Sequence, residues 1–187
     1  MNPQPNQTHQ YRLALFTALL AFCVILVGAY VRLSDAGLGC PDWPGCYGEL
    51  VVPEQSQVVL PEDNPHAKPL HTGKAWKEMV HRYLAGTLGL LILLLALLAW
   101  RNRKQAGQPL WLPSLLLALV IFQAALGMWT VTLLVKPAIV TAHLLGGFAT
   151  FVLLVLLSLR LRPLASAWSS TSLSTRRLAW IAPVSYT

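Results

Sequence analysis

Apolar and polar residues are segregated along this chain into long blocks rather than alternating at short intervals. Four apolar blocks approach the roughly 20 residues a helix needs to cross a hydrocarbon core of about 30 Å: Leu13–Val31, Tyr83–Trp100, Leu110–Val135 and Ala138–Leu159. A fifth apolar run starts at Leu178 and stops at Thr187, too short to span. The pattern predicts an all-α integral membrane protein, an up-down four-helix transmembrane bundle plus the start of a fifth helix, and the front part of a longer protein. The first block is longer than a signal-peptide core and no small-residue cleavage site follows it, so it is expected to be a retained span. The tight turn at Lys136–Pro137 makes the third and fourth spans an antiparallel hairpin.

The organisation expected from this pattern has three parts. Residues 1–11 form a polar, disordered cytoplasmic tail. Residues 12–162 form the four-helix unit, with an external loop over 34–78 that is irregular except for a short helix near Lys74–Met79. Residues 163–187 hold a Ser/Thr-rich cytoplasmic linker and the start of the fifth span.

Composition agrees with the block pattern: 55% of residues are hydrophobic and only 11% charged, against roughly 25% charged in a soluble domain. The charges that remain are sorted. Arg12, Arg101–Lys104, Arg160, Arg162, Arg176 and Arg177 flank one side, whereas all seven acids lie between the first two spans. By the positive-inside rule the N-terminus is cytoplasmic and the long loop external. The net charge of +7 is thus a topology signal, not a nucleic-acid footprint, because no basic face with interleaved aromatics exists.

Chemistry enters in the loop and in the spans. The stretch "GLGCPDWPGCYG" brackets a turn with Cys40 and Cys46. An external compartment permits disulfides, and Pro41, Pro44 and Gly45 allow the chain to turn back, so a bridge is sterically reasonable. It is either a structural staple or a redox-active dithiol. Trp43 lies on a macrocycle or on the lipid interface. The glycines Gly37, Gly39, Gly45 and Gly48 are expected to supply turn freedom. Cys23, in the middle of the first span, is expected to be a small buried hydrophobe.

Of the five histidines, His9, His66 and His71 fall in polar segments and suit solvated surface. His81 and His143 differ, because each lies about two turns from the outer end of a span that runs outside to inside. Two imidazoles at one depth on two helices suit axial ligation of a heme iron; the alternative is a hydrogen bond between helices. Gly86, Gly89, Gly146 and Gly147 follow them and leave room for close helix approach or for a flat ring. Glu78, one turn before His81, is an orienting acceptor for the imidazole, a catalytic carboxylate at the ring edge, or an interfacial acid paired with Arg82 or Lys77. Arg82 and Arg32 each suit a heme propionate or simple snorkelling. Gln123, alone in an apolar span, bonds a neighbouring helix or contacts ligand. Trp100, Trp111 and Trp129, near span ends, fit an aromatic belt.

Three segments together, "YVRLSDAGLGCPDWPGCYG", "KAWKEMVHRYLAGTLGL" and "FQAALGMWTVTLLVKPAIVTAHLLGG", resemble in order and spacing the heme A synthase family, in its bacterial form with a Cys loop. The resemblance runs from Tyr11 to about Leu159. It implies oxidation of a ring methyl of heme O to the formyl of heme A, which serves terminal oxidases. It also implies eight spans in two similar halves, a front half for substrate heme and a back half holding heme b. On this resemblance His81 and His143 are the iron ligands of the front half and Glu78 is the catalytic acid; the back half is absent from this sequence. The partners implied are the lipid bilayer of a bacterial plasma membrane, heme O, heme O synthase and terminal oxidase assembly, with homo-oligomerisation open. Two other classes compete: a bis-histidine heme b electron-transfer cytochrome, and a membrane thiol oxidoreductase. The latter is weakened because Cys40 and Cys46 are not a Cys-x-x-Cys pair.

Overall fold

In the computed structural model of the chain, residues 5–54, 69–105 and 107–162 are described. His66, the linker after Arg162 and the apolar run from Leu178 lie outside them. Four helices make up almost all of the described residues: α1 Pro5–Leu33, α2 Thr72–Arg101, α3 Trp111–Thr132 and α4 Pro137–Leu161. Each is long and apolar enough to cross a membrane. Among the described residues the only β-type pairing is an isolated bridge between Cys46 and Glu49. The helices pack as a ring in which α1 contacts α2 and α4, and α3 contacts the same two. Thus α2 and α4, which run the same way, face each other across the diagonal. Large apolar side chains such as Phe16, Leu19, Leu90, Ile121 and Leu145 point outward, as expected where lipid is the solvent.

Small residues on α1 allow the close approach. Ala14, Ala18, Ala21 and Val24 form a buried stripe against Leu88, Ile92 and Leu95 of α2, Leu112 and Leu116 of α3, and Leu154, Leu157 and Leu161 of α4. This core fills the end of the bundle away from the Cys loop. A second apolar cluster, Cys40, Cys46, Val52, Leu70, Ala75 and Met79, forms under the loop at the opposite end. Between the two lies the tier that carries His81 and His143.

Two helix ends differ from the sequence reading. The tail expected to be disordered is helical from Pro5 onward. A proline at the first helical position is pre-organised for that role, and the first turns are tied down because Gln10 is buried and accepts a hydrogen bond from Gln108 Nε2 at 3.0 Å. The short helix expected near Lys74–Met79 is instead the continuous start of α2. The charged residues Lys74, Lys77 and Glu78 interrupt the apolar block, while Ala75, Glu78 and Met79 are buried beneath the loop and extend the helix to Thr72. Cys23 is also corrected: it is exposed on the outer side of α1, not buried.

Candidate heme-binding tier and its cover

His81 lies in the third turn of α2 and His143 in the second turn of α4, so both sit near the loop end of the bundle. Each ring rests on a glycine of the helix before it. A Cβ placed on Gly28 of α1 would lie 2.8 Å from His81 Cε1, and one on Gly127 of α3 would lie 3.5 Å from His143 Cε1. Both imidazoles are half-buried and within electrostatic reach of each other. Nδ1 of each is buried without a hydrogen-bond partner among the described residues, and so is Nε2 of Gln123. An orphaned buried polar group costs ~1–3 kcal/mol. Three of them in one tier, between two apolar clusters, describe a place that lacks a polar or metal-bearing partner.

The donor set indicates which kind. Among the described residues no three His, Cys, Asp or Glu side chains are grouped to hold a metal ion. A bare zinc ion takes three or four protein ligands, whereas a heme iron has its equatorial positions filled by the macrocycle and takes axial imidazoles. Two histidines on diagonal helices fit the second case.

Gln123 is 8% exposed and sits one turn before Gly127 on α3. Its amide lies against the backbone of α4: a Cβ on Gly146 would fall 1.8 Å from Nε2. Gly28 and Gly127 were not singled out in the sequence, whereas Gly86, which was, meets open space and Gly89 only Val120 at 4.0 Å. The missed signal is the continuation of a stripe. Gly28 extends the Ala14–Ala18–Ala21–Val24 spacing by one turn, as Gly127 extends Leu112–Leu116–Gln123.

Above the tier sits the cover. Cys40 and Cys46 are joined by a disulfide with Cα atoms 4.8 Å apart. Glu78, buried on α2, ties the loop down: Arg82 Nη2 donates to its Oε1 at 2.5 Å, and the Cys40 amide donates to its Oε2 at 3.0 Å. Arg82 Nη1 also donates to the carbonyls of Gly45 and Pro44. Asp42 accepts from the amides of Tyr47 at 2.6 Å and Gly48 at 2.8 Å, and the Tyr83 hydroxyl donates to the Leu50 carbonyl. Burial, then the charges of Asp42 and Glu78, push the Tyr47 phenol up, so it stays neutral.

Only Gly48, at φ +82°, uses a glycine's left-handed freedom in this loop. Gly39 and Gly45 are required for contact instead, since a Cβ would lie 2.7 Å from the Lys74 carbonyl carbon and 2.5 Å from the Glu49 oxygen. Gly37 has room for a side chain.

Of the alternatives for Glu78, the pairing with Arg82 is present and the orienting bond to His81 is not. Lys77 instead stands over the Tyr30 ring at 5.0 Å. Arg32 is exposed and lines a cleft of about 240 Å³ with His71, Lys74 and Tyr47 at the loop end, away from the buried tier. Lys74 is paired there with Asp35 at 2.8 Å, an exposed ion pair that contributes little. Trp43, Trp100, Trp111 and Trp129 all face outward.

The profile of the COX15-CtaA family, described as cytochrome oxidase assembly protein, matches residues 11–186. A heme A synthase of Shewanella oneidensis is 48% identical over 175 residues, covering 90% of this chain and 50% of that protein. Heme A synthases of Shouchella clausii and Bacillus mycoides are each 30% identical, covering 79% and 78% of this chain and 44% and 43% of their own lengths. The chain therefore spans about half the length of the curated relatives it matches.

Proposed function

This chain belongs to the COX15-CtaA family of cytochrome oxidase assembly proteins, and from that premise we propose that it forms the substrate-heme unit of a heme A synthase. The reaction is oxidation of a ring methyl of heme O to the formyl of heme A for terminal oxidases. The observation that carries this reading is the tier of His81 and His143 on diagonal helices, with buried nitrogens left unpartnered. His81 and His143 are the residues that would hold the heme iron. Arg32, at the loop-end cleft, pairs with a propionate. Arg82 first serves the cover by holding Glu78 and the loop carbonyls. Glu78, one turn above His81, places a fixed negative charge at the ring edge, where it stabilises positive charge developing during oxidation. Heme held between the histidines would be the substrate, and oxidising its methyl would need an electron acceptor and an oxygen source from outside this tier. A second, similar four-helix unit would hold a heme b that passes electrons on, and heme O synthase and the oxidase assembly machinery would be the partners before and after.

The orientation follows from charge. Arg12, Arg101, Arg103, Lys104, Arg160 and Arg162 lie at the end opposite the Cys loop, and Asp35, Asp42, Glu49 and Glu54 lie with the loop. We assign the loop to the outer face of a bacterial plasma membrane. A membrane-impermeant amine reagent, applied to intact cells, should modify Lys136, exposed at the loop end, and spare Lys104, exposed at the opposite end. Modification of Lys136 only in broken cells would reverse the assignment.

A b-type cytochrome needs the histidines but not a buried acid and a bridged cover, which favours the enzyme. A thiol oxidoreductase is disfavoured because both sulfur-bearing residues are fully buried under α2, where exchange partners have no access. Pigment extracted from the purified protein decides among them. Heme O or heme A supports the synthase, heme b alone supports the cytochrome, and no heme removes both.

A further inference from the structure

We propose that Gln123 is the residue by which this site tells heme O from heme b: its side-chain amide hydrogen-bonds the hydroxyl of the hydroxyethylfarnesyl substituent that heme O carries where heme b has a vinyl group. The proposal rests on the reading that the histidine tier takes heme O, and it adds how the tier selects it.

Three observations carry it. First, Gln123 is buried in the middle of an apolar span and its Nε2 has no partner. No hydroxyl of the bundle accepts from it among the described residues; Thr150 donates to the Gly146 carbonyl at 2.8 Å, and Thr17 and Ser158 likewise donate to carbonyls of their own helices. Second, the amide is held in place. It lies on the bare backbone at Gly146, and any side chain there would collide with it. An amide both donates and accepts, so a hydroxyl can pair with whichever end faces it.

Third, depth identifies the substituent. Gln123 lies one turn before Gly127, which faces His143, and its contact Gly146 lies almost one turn after His143 on the antiparallel α4. At 1.5 Å per residue the amide is about 4–6 Å deeper than the His143 ring. The cations Arg32, Lys74 and Arg82 all lie on the other side, with the loop. Ionised carboxylates are costly in hydrocarbon, so heme propionates point to the loop end. The substituent edge opposite them, which carries the hydroxyethylfarnesyl group, then points to Gln123. The methyl that becomes the formyl sits on a propionate-bearing pyrrole. It therefore falls at the Glu78 end, leaving the hydroxyl as the polar group that reaches Gln123. A site built to bond a substrate hydroxyl rejects the analogue lacking it more strongly than an apolar pocket can.

The test is equilibrium binding, not turnover. The purified chain and its Gln123→Met variant, nearly isosteric and unable to donate, are titrated with heme O and with heme b and followed by the Soret band. The variant is expected to bind heme O about tenfold more weakly, a loss of ~1.4 kcal/mol, with heme b binding unchanged. Gly146→Ala, which pushes the amide aside without removing it, should shift the preference in the same direction. Should Gln123→Met fail to fold, Gly146→Ala decides alone. If the variants keep the wild-type preference, or weaken both hemes equally, the selectivity role is overturned while the heme O reading stands. If the wild-type chain binds neither heme, that reading falls and this inference falls with it.

Discussion

Replacing His143 or His81 by alanine is expected to cut the heme retained through purification by at least about tenfold and to abolish the low-spin bis-imidazole spectrum of what remains. The expectation comes from the packing of the tier. Each ring is seated on a glycine: at Gly28 a Cβ would crowd His81 Cε1 at 2.8 Å, while at Gly127 it would touch His143 Cε1 at an ordinary 3.5 Å. No other grouped ligands stand nearby among the described residues to replace the lost one. Added imidazole should restore the spectrum in either variant if the loss is one of ligation. If heme content and spectrum survive both substitutions, the histidines serve only their contacts with the Val24 and Gln123 backbones of the neighbouring helices, and the iron is held elsewhere.

Glu78→Gln should behave differently. In a full-length synthase carrying these residues, heme should be retained while heme A formation falls by at least an order of magnitude. One missing electrostatic contact at a transition state costs about 2.7–4 kcal/mol. The structure adds a complication that the sequence did not carry: Glu78 also holds the cover through Cys40 and Arg82. Glutamine keeps an oxygen for the Cys40 amide but removes the charge facing Arg82, and breaking a buried pair costs about 3–5 kcal/mol. Arg82→Gln separates the two roles, because it loosens the cover and leaves the carboxylate. If heme A formation falls equally in both variants, Glu78 acts through the cover. If it falls only in Glu78→Gln, the charge itself is used. Normal heme A formation in Glu78→Gln would end the catalytic assignment.

The spans were legible because each is an uninterrupted apolar block, and the histidine pair because matched depth can be counted from span ends. Helix ends were less so: Lys74, Lys77 and Glu78 look like loop until Ala75 and Met79 are seen buried beneath one. Pairing within one helix, Glu78 with Arg82, was legible from spacing. The second partner of Glu78, the Cys40 amide, is remote in sequence and had no local signal. The glycines show the same limit. Those adjacent to the histidines stand out in the sequence, yet the ones that seat the rings lie on the neighbouring helices, where only the continuation of a buried stripe marks them.

The seating of the rings has a consequence for regiochemistry. The first helical hairpin pairs Gly28 with His81 and the second pairs Gly127 with His143, so the same glycine–histidine unit occurs twice, with corresponding helices running in the same sense. If both rings held one heme iron, ligation by itself would distinguish none of the four methyl groups on the ring. What breaks the equivalence is the connections. The first hairpin is closed by the long bridged loop that carries Asp42 and is clamped by Glu78, the second only by residues 133–136. Selection of a single methyl would therefore come from groups other than the ligand pair: this one-sided periphery, and Gln123, whose counterpart one turn before Gly28 is Val24.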